Sequence, residues 1–232
     1  MDAANVVLVA GVWQMSDDFC PWAGIITDVQ SDGIIFGATL NGRQDNLMIW
    51  PRVIYSLAPA TATLTPHDAD IATLRWAVAR IRSQSPFMPT PQSAYGLKAM
   101  DSWIREMSET PGFCPECMKG IGNIREKTWN CAYLNALTTQ NASTVAARYL
   151  RRIAPDFPPA SQSYLHSAAT RYDHIAALLA PMLDQTGPDS YVNILGDLSK
   201  QKSHAAKVLT PIKNEYSAIA QDIELAITNL KP

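Results

Sequence analysis

Residues 95–154 read YGLKAMDSWIREMSETPGFCPECMKGIGNIREKTWNCAYLNALTTQNASTVAARYLRRIA, and the rest of the chain can be organised around this stretch. Apolar residues recur at helical spacing in its first part, which predicts a helix over 95–108. Residues 111–122 contain two cysteines and three glycines, and they predict a connection. A long second helix is predicted over about 122–154, and the prolines that follow it end it.

The N-terminal part of the chain has the residue pattern of β-strands. Apolar, β-branched runs of strand length alternate with turn signals, of which Ser31-Asp32-Gly33 and Asn41-Gly42 are the clearest. Pro51 restricts the last run to a sheet edge or a strand start, because proline has no N–H to donate. A sheet this small needs a cover, which the helices of the remaining chain would supply. The predicted strands cover 6–9, 23–29, 34–40 and 49–57.

Residues 65–230 have the pattern of amphipathic helices. Thr65 precedes Pro66 as an N-cap precedes a first-turn proline, and residues 161–183 carry the cleanest apolar stripe. The last segment keeps a seven-residue apolar rhythm across Pro211, which predicts one helix with a kink there and not two helices. The apolar residues of this repeat form one face, the seam, which would pack against the preceding helix or against a second chain. As the assembly face of a homodimer, the seam would present Leu209, Ile212, Tyr216, Ile219 and Ile223.

Together these patterns predict an α+β fold. A small antiparallel β-sheet over residues 5–57 would be followed by a bundle of about five helices. The 232 residues suit one large domain or two small ones, on a prior of roughly 100–200 residues per domain. We therefore expect two parts, a β segment over 1–60 and a helical domain over 65–232 that packs on it.

Charge and hydropathy argue against several classes of partner. The 19 basic and 21 acidic residues are interspersed, and the net charge of −2 leaves no electrostatic footprint for nucleic acid or an anionic membrane. No apolar run reaches the roughly 18 residues of a membrane span. The short apolar run Val6–Val12 has no basic residue before it, unlike a signal peptide. We expect a cytoplasmic protein with four reduced cysteines, no cofactor, no nucleic-acid partner and no membrane partner.

Three cysteines are candidates for a metal or redox site. Cys114 and Cys117 have the CxxC spacing that is typical of redox pairs and of half a zinc site. Cys131 would be a third zinc ligand. A second CxxC, or a histidine pair at zinc-ligand spacing, is absent from the sequence. The spacing leaves open a redox pair, a zinc site, or cysteines with neither role.

Cys20 is the candidate for a cysteine nucleophile. Such a nucleophile requires a base, usually histidine, and a group that orients the base. The histidines all fall in predicted helices far along the chain, and each is interpreted as a surface or helix-packing residue. These histidines are His67, His166, His174 and His204.

Several short motifs in this chain resemble one known family. In the helical part they are Tyr95-Gly96-Leu97-Lys98-Ala99, Trp103, Asn135-Ala136 and Ala146-Ala147-Arg148-Tyr149-Leu150. Residues 22–28, which read WAGIITD and are followed by the Asp32-Gly33 turn, resemble a strand hairpin of the same family. The family is the papain-like group that includes relatives of bacteriocin-processing peptidases and of the butirosin-biosynthesis acyltransferase. The resemblance covers about residues 5–57 and 95–230.

The resemblance implies cysteine-based acyl or peptidyl chemistry on a small substrate. It also implies a ligand pocket that includes Trp22, Asp28, Trp103 and Asn135. The chain departs from the family pattern in four ways. Thr139 stands where the family has Trp, Ser143 where it has Arg, and Asp28 where it has Gly, and no histidine lies next to Trp22.

The family's N-terminal segment, which carries the nucleophile, has no counterpart in this sequence. The resemblance therefore implies an incomplete or non-catalytic papain-like protein, or one half of a split enzyme whose separate N-terminal half is another polypeptide. Two other interpretations stay open. The helices could form a binding or assembly protein without catalysis, and Cys114, Cys117 and Cys131 could make the chain a zinc or redox protein.

Overall fold

The computed structural model describes most of the chain in two units. The two units are Met1–Thr63 and Leu64–Pro232. For the strands of the first unit the structure describes the backbone and its pairing, and for most of the second unit it also describes the side chains. The described residues are 6–15, 18–29, 35–39, 44–57, 64–84, 94–109, 131–184, 186–195 and 197–230.

The first unit consists of four antiparallel strands that close into a ring. Each strand pairs with the next one along the chain, and β1 also pairs with β4, so the sheet has no open side edge. Pro51 lies where the β1–β4 register is irregular, between the pairs Ala10–Val53 and Val12–Ile49. An irregular register accommodates proline, which cannot donate to a regular ladder. The strands are β1 (Val6–Met15), β2 (Asp18–Val29), β3 (Ile35–Thr39) and β4 (Gln44–Leu57).

The described part of the second unit is built of helices. A 3-10 turn, Ala154–Asp156, follows α3, and a π-helical segment, Ala205–Leu209, joins α6 to α7 without a break. The helices are α1 (Pro66–Ile81), α2 (Gly96–Glu109), α3 (Cys131–Ile153), α4 (Pro159–Leu183), α5 (Tyr191–Leu195), α6 (Leu198–His204) and α7 (Thr210–Thr228).

The predicted α+β fold, a small antiparallel sheet followed by about five helices packed on it, is wrong. The part of the chain whose side chains are described contains helices and no strand. Its core comes from helical residues and the turns between them, so it needs no sheet to bury its apolar faces. The strands, in turn, pair with one another around a closed ring. The prediction failed because short apolar runs indicate where strands form but not how those strands pair to close a ring.

The second unit is organised around α4. Helix α4 packs against α3 on one side and α7 on the other. The stripe predicted over residues 161–183 is confirmed, because all six of its apolar positions are buried. Burying each larger aliphatic side chain contributes about 1.5–3 kcal/mol to folding. The stripe residues are Leu165, Ala168, Tyr172, Ile175, Leu179 and Met182.

The apolar face of the last helix packs against other helices of the same chain. Four residues of the predicted assembly face are fully buried in the helical core, and Tyr216 contacts Tyr172 of α4 edge-on, with ring centroids 6.1 Å apart. A second chain cannot reach these positions in this conformation. The buried four are Leu209, Ile212, Ile219 and Ile223.

The helix passes Pro211 by means of a π turn. The backbone N–H and the hydroxyl of Thr210 both donate to the carbonyl of Ala205, five residues earlier. Pro211 has no N–H and its ring would crowd the carbonyl four residues before it. The wider π turn relieves that crowding, because its hydrogen bonds span five residues instead of four.

A polar network ties α4 to α7 along the edge of this seam. Arg171 donates to Asp222 and to Glu215, each at 2.9 Å, and Ser167 donates to Asp222 at 2.8 Å. His174 contacts Glu215 at 2.9 Å. The side chains of Asp222 and Glu215 are 14% and 18% exposed, so both carboxylates depend on these partners for much of their solvation.

We expect Arg171→Met to lower the free energy of unfolding by about 1–3 kcal/mol at pH 7, because it leaves two mostly buried carboxylates without the cation that they share. Burial opposes ionisation of Glu215, but Arg171 and His174 outweigh it and lower the pKa of this residue. A pKa lowered in the folded state stabilises the fold above the unfolded pKa, and this stabilisation disappears as pH falls. The deficit should therefore shrink below about pH 4, near the ordinary pKa of glutamate.

Urea unfolding followed by circular dichroism between pH 3 and pH 8 measures this deficit. Arg151→Met is the matched control, because Arg151 pairs with Asp173 in an exposed position between α3 and α4. That change should cost less than about 1 kcal/mol. Equal losses in the two variants, or a deficit that does not vary with pH, would contradict the assignment of the network.

Candidate functional site

The residues that the sequence singled out are divided between the two units. Cys20, Trp22 and Asp28 lie on β2 in the first unit, where only the backbone is described. Trp103 lies in the core of the second unit on α2, and its Nε1 has no hydrogen-bond partner among the described residues. Asn135 lies exposed on α3. The predicted pocket of these residues stays a prediction.

The predicted cysteine site stays untested. Cys114 and Cys117 lie outside the described residues, and Cys131 begins α3 with its side chain also outside them. Among the described side chains, no group of three or more His, Cys, Asp or Glu residues is arranged to hold a metal ion. The zinc and redox interpretations remain predictions.

The most site-like feature of the second unit is a cavity of about 520 Å³ beside the π-helical segment. This volume is within the range of pockets that take small molecules. The end of α4, the turn after it, α5, α6 and the π segment all contribute to its walls. We call it the His204 cavity. It is lined by Leu178, Pro181, Met182, Pro188, Asp189, Ile194, Lys200, Ser203, His204, Lys207 and Val208.

The inner walls of the His204 cavity are apolar. Met182 of α4 is fully buried, and Ile194 of α5 is nearly so. Leu178 and Val208 are partly buried and pack against the same core. An apolar wall that is continuous with the core does not collapse on the cavity, because its side chains are already held from behind.

His204 is the buried polar group in this cavity. Its side chain is only 8% exposed, and its Nε2 has no hydrogen-bond partner among the described residues. Burial lowers the pKa of His204 to about 4, against a smaller opposing effect of the Asp189 carboxylate. The imidazole is therefore neutral at pH 7 and offers one donor and one acceptor. A buried polar atom without a partner costs about 1–3 kcal/mol, which makes the position notable.

Charged groups stand around the mouth of the cavity. Lys200 and Lys207 lie on the α6 side and are exposed, and Asp189 lies on the turn before α5 and is exposed. In the described part of the chain, neither lysine has a carboxylate within ion-pair distance. With His204 neutral, the lining carries two positive charges and one negative charge.

Local sequence explains why these side chains share one wall. Asp197 caps α6 by accepting from the N–H groups of Ser199 and Lys200, at 2.8 and 3.3 Å. Lys200, Ser203 and His204 then follow at α-helical spacings of three and four residues, which places them on one face. Lys207 joins the same wall from the π segment. The opposite wall is fixed by a turn in which Asp184 accepts from the N–H and the hydroxyl of Thr186.

The lining favours binding over acid–base catalysis. A histidine whose pKa is about 4 is a weak base at neutral pH, well below the range in which general bases work best. Within the described residues no hydrogen bond joins Ser203 to His204, so the hydroxyl is not activated as a nucleophile. What remains is an apolar cavity with an orienting imidazole and charged groups at its mouth.

Sequence reasoning missed this site. His204 was interpreted only as a surface or helix-packing residue, because histidine within a helical pattern is usually one of the two. The available signal was the polar face formed by Lys200, Ser203, His204 and Lys207, directly before a helix that contains Pro211. That spacing shows a shared face but not the turn on the opposite side, which only the folded chain brings near.

No protein-family model, curated protein or solved structure matches this chain. The papain-like resemblance therefore stays a prediction, without support from a relative. Of the helices that the structure describes, none combines the length and the apolar character that crossing a membrane requires.

Proposed function

We propose that the helical unit is a binding domain for a small organic molecule, which occupies the His204 cavity. The sequence-based alternative was a helical protein that binds a partner or a second chain, and this proposal differs from it in the class of ligand. The observation that carries the proposal is a cavity of ligand size whose wall combines apolar side chains with a buried imidazole. Apolar walls would supply most of the binding free energy, and the imidazole would orient the ligand.

The concave shape of the cavity supports a small ligand over a protein partner. Its apolar residues lie at the ends of buried helical faces, not on an exposed flat patch. The polar groups are few and come from one helix face and one turn. A small molecule needs only such a set, whereas a protein interface requires a much larger area.

The proposal is tested by NMR titration of the 15N-labelled chain with two probes, 1-hexanol and hexanoate. We expect at least one probe to shift backbone signals of residues 178–208 in a saturable way. Ser203→Trp should abolish these shifts, because the indole would fill the cavity that Ser203 lines.

Ser199→Trp is the matched control. Ser199 lies on the same helix and is exposed, but it does not line the cavity. This variant should bind the probe as the unaltered chain does. The proposal fails if neither probe shifts signals of the cavity, or if Ser203→Trp binds as well as Ser199→Trp.

Other expectations stay predictions beside this proposal. They are an incomplete papain-like half-enzyme with a separate N-terminal partner, a homodimer, and a cytoplasmic location. The papain-like interpretation would gain support if Cys20 reacted with iodoacetamide far faster than a free thiol, since a lowered thiol pKa marks a nucleophile. Slow reaction of all four cysteines would argue against it.

A further inference from the structure

We propose that the ligand of the His204 cavity is an amphipathic anion, a short apolar chain or ring that ends in a carboxylate. This inference rests on the proposed function and names its ligand class. Three features of the cavity lining support it. They are the net charge at the mouth, the positions of the two lysines along the helix, and the apolar side chains behind them.

The first feature is the sign of the charge at the mouth. Two lysine ammonium groups and one carboxylate line the cavity, so the lining has an excess of one positive charge. Neither lysine is held by a carboxylate within the part of the chain that the structure describes. A lysine without an ion-pair partner keeps its three donors for a bound anion.

The spacing of the two lysines also favours an anionic ligand. Lys200 and Lys207 lie seven residues apart on one helix face, with Ser203 and His204 between them. Seven residues correspond to about 10 Å along a helix, a distance that two lysine side chains span easily from both ends. An anionic group placed over Ser203 would be within reach of both ammonium groups and of the Ser203 hydroxyl. Asp189 lies on the opposite turn, faces His204 and is the one negative charge of the lining.

The apolar part of the lining indicates the chemistry of the rest of the ligand. Behind the polar face, Leu178, Pro181 and Val208 supply apolar surface that a ligand could cover. A fully polar anion would leave these side chains without a partner and would gain nothing from them. A ligand with an apolar body places it there and keeps its charge at the mouth, where water and the lysines solvate it.

His204 adds no charge to the lining. Because the imidazole is neutral, it does not determine the sign of the ligand. The discrimination between anion and cation is therefore left to Lys200, Lys207 and Asp189. This division gives each residue a distinct expected effect when it is replaced.

The test is calorimetric titration with three probes that share one apolar chain, namely hexanoate, 1-hexanol and hexylammonium, at pH 7. We expect hexanoate to bind about tenfold more tightly than hexanol, as one charge-assisted hydrogen bond would give. Hexylammonium should bind more weakly than hexanol. Added salt should weaken the binding of hexanoate and leave that of hexanol unchanged, because the lysines are exposed.

Three variants separate the contributions. Lys200→Gln and Lys207→Gln together should reduce the affinity for hexanoate to that for hexanol, with the hexanol affinity unchanged. Asp189→Asn should strengthen the binding of hexanoate, because it removes the one negative charge of the lining. Lys202→Gln is the matched control, since Lys202 is exposed on the same helix but does not line the cavity.

The outcomes distinguish this inference from the proposed function. If hexanol and hexanoate bind the cavity equally, or if hexylammonium binds best, the inference is overturned and the binding function stands. If no probe binds, both are overturned. If hexanoate binds preferentially but the double lysine variant retains that preference, the lysines do not recognise the anion and the inference is overturned.

Discussion

Ile219→Lys is expected to unfold the helical unit and not to separate two folded copies of the chain. Ile219 is 0% exposed and lies in the core on α7, the helix that packs against α4. An unpaired ammonium group in that core would cost several kcal/mol. Domains of this size are stable by only about 5–15 kcal/mol, so one such charge removes much or all of the stability.

Circular dichroism at 222 nm and light scattering together measure this outcome. We expect Ile219→Lys to lose its cooperative thermal transition, and Ile219→Ala to lose about 2–5 kcal/mol while remaining folded. Gln221→Lys adds the same charge two residues further along α7 at an exposed position, and it should leave the transition nearly unchanged. A folded monomer formed from a dimer by Ile219→Lys would restore the assembly-face prediction.

Gly96→Ala is expected to have the second largest effect, a loss of about 2–4 kcal/mol. Gly96 begins α2 with a positive φ of 59°, where a side chain is strained. A Cβ here would also collide with the carbonyl oxygens of Arg80 and Ile81, which are backbone atoms of the last turn of α1. Backbone cannot turn aside as a side chain does, so α1 and α2 would have to move apart.

The junction that Gly96 permits is also held by a hydrogen-bonded serine. The hydroxyl of Ser83 donates to the carbonyl of Tyr95 at 2.7 Å and accepts from the N–H of Lys98 at 3.2 Å. Separation of α1 from α2 would break both contacts, which adds to the expected loss.

Urea unfolding of Gly96→Ala beside Gly187→Ala checks this prediction. At Gly187 a Cβ would meet only the Asp184 side chain, at 3.1 Å, so its loss should stay below about 1 kcal/mol. Comparable losses in the two variants would show that α1 and α2 are not in close backbone contact at Gly96.

The helices could be predicted closely, because the sequence features that specify them involve residues that are close together along the chain. The stripe at 161–183 appears in α4 at Pro159–Leu183, and the Thr65 cap is present, with its hydroxyl accepting from the Asp68 N–H at 3.1 Å. Periodicity and capping depend on residues three or four apart, so the sequence contains them in full. The predicted fold class was wrong because it depended on contacts between residues that are distant along the chain. Closure of the ring, for example, pairs β1 with β4.

The sequence alone determined where helices form, which of their faces are apolar, and that the last helical segment continues through Pro211. The tertiary structure alone decided what covers each face. It buries the α7 seam against α4, which leaves no core position for a second chain, and it brings Asp189 and Met182 opposite His204. The physical reason is that an apolar stripe gains the same free energy from any apolar partner, so only the packed chain selects among partners.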